Sequence, residues 1–153
     1  MTRENNRRPV DILLVEDNPG DARLAKEAFK DGKAPTEIHV VSDGVEAMNF
    51  LRRQGQYADA PFPDLILLDL NLPRKDGREV LAEIKTDSNL KRIPVIILTV
   101  SNAEQDIIQT YNLHAACYLN KPFEFDEFME LVQQIDEFWL ATAKLPPKIY
   151  NEH

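Results

Sequence analysis

Five short apolar runs alternate along the chain with segments whose apolar residues recur at helical spacing. The runs are rich in Val, Ile and Leu and lie at residues 12–15, 38–41, 65–68, 95–98 and 115–119. Short runs of this composition are typical of strands that are buried on both faces, as in a parallel sheet. The pattern therefore predicts five parallel strands, each followed by a helix.

Capping residues and helical periodicity place the helices between and after these strands. The predicted helices run from Asn18 to Gly32, from Asp43 to about Gly55, from about Gly77 to Lys85, from after Ser101 or Asn102 through Tyr111, and from Asp126 to about Ala143. Five strands alternating with five helices predict an open parallel α/β sheet wound on both faces. We expect the flavodoxin-like strand order 2-1-3-4-5, in which the carboxyl ends of strands one and three meet at the switch point. Alternation alone leaves other doubly wound orders open.

The last helix carries more apolar residues than one face needs. One stripe is expected to cover the sheet, and it consists of Phe128, Leu131, Val132, Ile135, Phe138 and Trp139. A second row lies off that stripe and consists of Phe125, Met129 and Leu140. This row either broadens the core face, packs under the tail around Pro146 and Pro147, or forms a surface for a partner.

Composition limits the class of protein. The 153 residues fit one domain, for which we expect a flexible tail at 1–9, the folded domain at 10–143 and an extension at 144–153. No apolar run approaches the ~20 residues that span a bilayer, and the polar start has no signal-peptide core. The net charge of −8 argues against nucleic-acid binding. With the lone Cys117 unable to form an internal disulfide, these features favour a cytoplasmic protein with no membrane contact.

Three carboxylates follow predicted strands that should be neighbours. Glu16 and Asp17 come directly after the first strand, and Asp69 directly after the third. Their mutual repulsion in a partly desolvated cleft would be costly without a cation. A site with oxygen ligands only and few protein groups suits Mg²⁺, which keeps several waters. Asn71, two residues beyond Asp69, could add its backbone carbonyl.

Thr99 ends the fourth strand, and Lys121 follows the fifth strand directly at the same edge. A carboxylate nucleophile, a divalent cation and a lysine are the components of phosphoryl transfer to an aspartate. Asp69 would be the nucleophile and Thr99 a hydroxyl donor, with backbone N–H groups of Val100 and Ser101 nearby. Each residue taken alone also has an ordinary interpretation as a turn, cap or surface residue. Their joint position at one sheet edge favours the catalytic interpretation.

Four sequence blocks resemble the signatures of response-regulator receiver domains of two-component signalling. They read VEDN at 15–18, LLDLNLPRKDG at 67–77, LTVS at 98–101 and YLNKPF at 118–123, within a likeness that covers about Asp11 to Trp139. The resemblance implies that Asp69 accepts a phosphoryl group and that Lys121 contacts it. It also implies Mg²⁺ binding by Glu16, Asp17, Asp69 and the Asn71 carbonyl, a switch pair formed by Thr99 and Tyr118, and a cis peptide bond between Lys121 and Pro122. Glu16 departs from the family's commoner aspartate.

A narrower resemblance concerns VEDNPGD, the loop around Gln56 to Phe62 and the extended carboxyl end. These features are similar to the stand-alone regulators that work with phytochrome-type histidine kinases. That likeness implies a histidine kinase as partner, a role in a light-sensing phosphorelay and an unidentified downstream protein. It also implies a homodimer through the face of helix four, strand five and helix five, for which Phe125, Met129 and Leu140 are the candidate residues. The output would then be protein binding and not an enzymatic activity.

Three other classes remain open at this point. Phosphatases of the haloacid-dehalogenase kind also use a strand-end aspartate and Mg²⁺. Their motif at this point is Asp-x-Asp, whereas this chain has Asn71 in place of the second aspartate. A flavodoxin would need a phosphate-binding loop after strand one, where Glu16 and Asp17 would repel the anion. A pseudo-receiver that acts as a scaffold without phosphorylation would share the fold, although it would not need the full set of acids, Thr99 and Lys121.

Overall fold

The computed structural model of the chain describes residues 8–148, which form a five-stranded sheet flanked by helices. The strands are β1 (Val10–Val15), β2 (Thr36–Val41), β3 (Leu65–Leu68), β4 (Val95–Thr99) and β5 (Cys117–Asn120). The helices are α1 (Pro19–Lys30), α2 (Gly44–Leu51), α3 (Gly77–Thr86), α4 (Glu104–Asn112) and α5 (Phe125–Ile135). All four strand pairs are parallel and their order is β2-β1-β3-β4-β5, which confirms the predicted flavodoxin-like fold.

The sheet separates two apolar layers. One layer is built by α2 and α3 with side chains such as Phe50 and Leu81, and the other by α1 and α5 with Phe29 and Val132. Every residue of β3 and β4 is buried, as predicted for strands covered on both faces. The prediction is wrong for β2 and β5, which are largely half-buried or exposed. They form the two edges of the sheet, where the helices no longer cover both faces.

Two glycines hold the loop after β3 in place. A Cβ on Gly77 would overlap the backbone carbonyl of Asp69, and a Cβ on Gly44 would overlap the backbone of Lys75. Glycine therefore lets α3 begin directly against the end of β3 and lets α2 begin against the same loop. Asp76 completes this start of α3 with a capping box that includes Glu79. The position of Asp69 is thus set by backbone packing on both sides.

Helix α4 begins later than predicted and faces outward. Its first residue is Glu104, and Ser101 does not cap it, because the Ser101 hydroxyl donates a hydrogen bond to the Asp106 carboxylate at 2.7 Å. Ile108 and Tyr111 of this helix are exposed. Only Thr110 of this helix is fully buried. Helix α4 therefore presents apolar side chains to solvent.

The last helix changes its winding at Asp136. Residues Asp136–Thr142 form a π-helix, and the Ala143 N–H donates to the carbonyl of Phe138 five residues earlier at 2.7 Å. A π-turn holds more residues than an α-turn, so the apolar stripe of α5 is not continued in phase. Leu140, predicted for a partner surface, is only 8% exposed and lies in the core, whereas Phe138, predicted for the core, is 56% exposed. The assignment of Leu140 to a dimer face is therefore wrong.

The carboxyl-terminal extension packs onto its own chain as far as it is described. The Lys148 side chain is 4% exposed, and its ammonium group contacts Asp11 at 2.6 Å and Asp64 at 3.4 Å. Burial alone would raise the pKa of Asp11, but Lys148 and His39 outweigh burial and lower it. We call Lys148, Asp11 and Asp64 the carboxyl-terminal clasp. It lies at the amino-terminal ends of β1 and β3.

Parts of the two predicted terminal segments lie outside the described residues. These parts are residues 1–7 of the predicted tail and residues 149–153 of the predicted extension. Within residues 8–148, no helix combines the length and the apolar character that crossing a membrane requires.

Candidate functional site

The carboxyl ends of β1 and β3 bring three carboxylates together, as the order of strands predicts. One oxygen each from Glu16, Asp17 and Asp69 lies within 4.8 Å of the others. Glu16 and Asp69 are buried, whereas Asp17 is exposed, so the group opens to solvent on one side. Three carboxylate oxygens with one open side match the ligand set of a hard divalent cation that keeps some of its waters. The residues present therefore fit a metal ion.

Lys121 lies at the centre of the acidic residues. Its side chain is 7% exposed, and its ammonium group contacts Glu16 at 2.8 Å, Asp21 at 3.1 Å and Asp69 at 3.2 Å. Burial alone would lower the pKa of Lys121, but the hydrogen bond and charge of Glu16, together with Asp69, raise it above its ordinary range. Burial raises the pKa of Glu16, although Lys121 opposes that shift. Lys121 is therefore a buried cation at neutral pH.

The two oxygens of Asp69 have different neighbours. Oδ1 accepts hydrogen bonds from the Thr99 hydroxyl at 2.8 Å and from the Asn71 backbone N–H at 3.1 Å. Oδ2 accepts one from Lys121 at 3.2 Å. Donors from β4, from the residue directly after β5 and from the loop after β3 thus converge on one carboxylate. The role of the Asn71 carbonyl as a metal ligand stays a prediction.

Tyr118 connects β5 to the loop that follows Thr99. Its hydroxyl donates to the Ser101 carbonyl at 2.8 Å, and the Asn120 side chain donates to the same carbonyl at 2.7 Å. The Tyr118 ring is half-buried and packs against the core. Tyr118 therefore contacts the loop two residues beyond Thr99, and the role of the two residues as a switch pair stays a prediction.

Arg78 adds a contact that sequence reasoning missed. Its Nε and Nη2 donate to the two carboxylate oxygens of Asp106 at 2.9 and 2.8 Å, and its Nη1 donates to Asp76 at 2.9 Å. The hydrogen bonds from Arg78 and Ser101 lower the pKa of Asp106. The beginnings of α3 and α4 are therefore tied together next to Asp69. The only sequence signal was an arginine directly after the Asp76-Gly77 turn.

The peptide bond between Lys121 and Pro122 is trans. No peptide bond among residues 8–148 is cis, so the predicted cis geometry is wrong for this structure. The trans form is the more stable one for most X–Pro bonds. Lys121 reaches Asp69 with the trans bond in place.

Five apolar side chains of α4, the start of α5 and the two loops before these helices are exposed. We call Val100, Ile108, Tyr111, Phe123 and Phe125 the apolar face. Phe123 is 93% exposed and Phe125 is 56% exposed. Of the other two residues predicted for a dimer surface, Met129 is half-buried against the core and Leu140 is buried. The apolar face thus keeps Phe125 and gains residues of α4.

The carboxyl edge of this parallel sheet carries an aspartate, two further acids, a threonine and a lysine. This arrangement defines a class of phosphoacceptor proteins, and a family model agrees. The model of the response regulator receiver domain matches residues 12–133, so the chain belongs to that family. It is a response regulator of two-component signalling. Among its relatives, the response regulator Rcp1 of Synechocystis sp. is 51% identical over 146 residues, which are 95% of this chain and 99% of Rcp1.

Two solved structures are similar over nearly the whole chain. The Mn²⁺-bound form of Rcp1 has a TM-score of 0.88 and 52% identity and covers 91% of this chain and 100% of its own. The phosphorylated cyanobacterial phytochrome response regulator RcpA has a TM-score of 0.89 and 54% identity and covers 92% of this chain and 100% of its own. The chain is therefore similar to phytochrome response regulators in both sequence and fold.

Proposed function

We propose that this response regulator accepts a phosphoryl group on Asp69 from a histidine kinase, in a reaction that depends on Mg²⁺. The observation that carries the proposal is the convergence of three donors on the Asp69 carboxylate. Thr99 and Asn71 bind one oxygen and Lys121 binds the other. Such a carboxylate is fixed in place and has groups beside it that can take over the charge of an arriving phosphoryl group.

The transfer forms one bond and breaks one. A carboxylate oxygen of Asp69 attacks phosphorus, and the bond from phosphorus to the donor's histidine nitrogen breaks, so that the electron pair leaves with the imidazole. Lys121 and the Thr99 hydroxyl are then the nearest donors for the phosphoryl oxygens. A divalent cation held by Glu16, Asp17 and Asp69, when bound, supplies neutralisation of the negative charge that accumulates. We assign this cation as Mg²⁺ because the ligands are all oxygens.

The output is proposed to be a change of protein surface. Thr99 would exchange its bond to Asp69 for one to the phosphoryl group, and Tyr118 would follow through its bond to the Ser101 carbonyl. The loop at Ser101 leads directly into α4, which carries part of the apolar face. Phosphorylation at Asp69 would thus alter which protein binds there. Arg78 would oppose this change, because it holds Asp106 of α4 to the start of α3.

The similarity to Rcp1 and RcpA supports a narrower assignment. RcpA is a cyanobacterial phytochrome response regulator, and its structure is 54% identical to this chain. We therefore propose a phytochrome-type histidine kinase as the phosphoryl donor and a signalling role without a metabolic reaction. The cytoplasmic location expected from the sequence stays a prediction.

A small phosphodonor tests the central proposal. Incubation with acetyl phosphate and Mg²⁺ should add one phosphoryl group, which hydroxylamine removes because it is an acyl phosphate, and peptide mapping should place it on Asp69. Chelation of divalent cations should slow formation of the adduct by about 100-fold or more, since a divalent cation contributes several kcal/mol of charge stabilisation. An adduct that forms equally well with chelator would contradict the role of the metal. No adduct under either condition would contradict the proposed function.

We also propose that the apolar face joins two copies of this chain. Aromatic side chains are enriched at protein interfaces, and Tyr111, Phe123 and Phe125 are exposed in this structure. The change Phe125→Glu should weaken self-association at least about tenfold by burying a charge at the interface. Phe138→Glu is the matched control, because Phe138 has the same 56% exposure but lies at the far end of the same helix. Sedimentation of phosphorylated and unphosphorylated protein measures the effect, and equal weakening by both changes would contradict the assigned face.

A further inference from the structure

A fourth carboxylate reaches the site from α1. Asp21 lies in the first turn of that helix, where its backbone N–H donates to the capping Asn18 side chain at 3.0 Å. Its own carboxylate turns toward the sheet and contacts the Lys121 ammonium group at 3.1 Å, one hundred positions away in sequence. The Asp21 side chain is 28% exposed, in contrast to the buried Lys121. Because Asp21 is partly exposed, water can solvate its charge, and Asp21 does not need Lys121 as a counter-ion.

Lys121 has no donor to spare in this arrangement. An ammonium group carries three N–H donors, and Glu16, Asp21 and Asp69 each accept from it. To bind a phosphoryl oxygen, Lys121 has to release one of the three acceptors. Glu16 and Asp69 belong to the group of carboxylates that fits a metal ion, whereas Asp21 does not. Asp21 is thus the acceptor that competes with the phosphoryl group for a donor of Lys121 but is not one of the carboxylates that fit the metal ion.

We propose that Asp21 is a positioning residue that holds Lys121 back from the incoming phosphoryl group and thereby slows phosphorylation of Asp69. This inference rests on the proposed function. Two effects act in the same direction. Asp21 occupies one donor of Lys121, and its charge repels the anionic phosphodonor as the donor approaches. With acetyl phosphate as the donor, an Asp69 oxygen forms the new bond to phosphorus. The bond from phosphorus to the acetyl oxygen breaks, and acetate leaves with the electron pair.

A short set of variants separates charge from shape. Asp21→Asn keeps an oxygen that can accept from Lys121 but removes the charge, Asp21→Ala removes both, and Asp21→Glu keeps the charge. Glu27→Gln is the matched control, because Glu27 is an exposed acid of the same helix and its loss changes the net charge equally. All variants are measured as the full chain with saturating Mg²⁺ and acetyl phosphate as the donor.

Asp21→Asn and Asp21→Ala should be phosphorylated about threefold to tenfold faster than the unchanged chain, as expected for one partly solvated charge near the reacting groups. Asp21→Glu should remain slow, and Glu27→Gln should change the rate less than about twofold. Rising salt should accelerate the unchanged chain more than Asp21→Asn, because salt screens the repulsion that Asn has already removed. An acid that only stabilises the start of α1 would alter the unfolding midpoint but not this salt dependence.

The possible results distinguish the two proposals. If the unchanged chain gains no phosphoryl group on Asp69, the proposed function fails. If Asp69 is phosphorylated but folded Asp21→Asn reacts no faster or more slowly, only the role of Asp21 is overturned. Faster reaction of Asp21→Asn with an unchanged salt dependence would support release of the Lys121 donor and overturn only the contribution of charge repulsion.

Discussion

Asp69→Asn is expected to give a folded protein that no longer forms the hydroxylamine-sensitive phosphoryl adduct. Asparagine keeps the shape of the side chain, and its oxygen can still accept from Thr99 and Asn71, which both bind Oδ1 of Asp69. The amide is a far weaker nucleophile than a carboxylate, so phosphorylation should fall by at least about 1000-fold. Mass measurement of the intact chain after incubation with acetyl phosphate and Mg²⁺ determines the loss.

The fold of Asp69→Asn should survive, because the change also removes one of three negative charges around Lys121. We expect a shift of the thermal midpoint of no more than about 5 °C. Asp59→Asn is the matched control, since Asp59 is an exposed aspartate in the loop before β3 and should keep the full adduct. An adduct of normal yield on Asp69→Asn would place the acceptor at another residue.

Lys121→Met should impair both phosphorylation and stability, and the loss of stability should depend on divalent cations. The change removes a buried cation and leaves the buried Glu16 and Asp69 without their shared donor. Breaking a buried ion pair by deleting one partner costs about 3–5 kcal/mol. Mg²⁺ should restore part of this free energy of unfolding, because it binds to the folded state and neutralises the same carboxylates. Urea unfolding with Mg²⁺ and with chelator measures both values.

Lys85→Met provides the control for Lys121→Met. Lys85 is half-buried, whereas Lys121 is buried, and the Lys85 ammonium group donates to the backbone carbonyls of Lys91 and Ile93 at 2.8 Å each. Its replacement should cost stability to the same extent with Mg²⁺ and with chelator. Phosphorylation should fall at least about tenfold for Lys121→Met and remain near normal for Lys85→Met. Equal Mg²⁺ dependence of the two variants would contradict the position of Lys121 among metal-binding carboxylates.

The fold and the meeting of the acidic residues could be predicted because both follow from the order of strands. Once the apolar runs are read as parallel strands, Glu16 and Asp69 must lie at carboxyl ends, and the 2-1-3-4-5 order makes those ends neighbours. Lys121 and Thr99 follow from the same rule. Their contacts with Asp69 at 3.2 and 2.8 Å bear out the expected juxtaposition.

The errors lie where local winding or long-range pairing decides the outcome. A period of 3.6 residues places Leu140 outside and Phe138 inside, but the π-helix at Asp136–Thr142 changes the phase and exchanges the two. No sequence pattern that we used distinguishes these two windings. The contacts of Asp21 with Lys121 and of Lys148 with Asp11 join residues 100 and 137 positions apart. Side-chain pairings at that separation become visible only when the elements are placed in space.

The carboxyl-terminal clasp has a practical consequence for measuring this signalling protein. Lys148 is held at the amino-terminal ends of the strands, and Asp69 lies beyond the carboxyl end of β3. Six residues of β1 at about 3.3 Å each separate the two ends of the sheet by roughly 20 Å. A fluorophore or a surface tether attached beyond Lys148 therefore starts from the side opposite the proposed phosphorylation site. Immobilised in this orientation, the molecule would present Asp69 to solution.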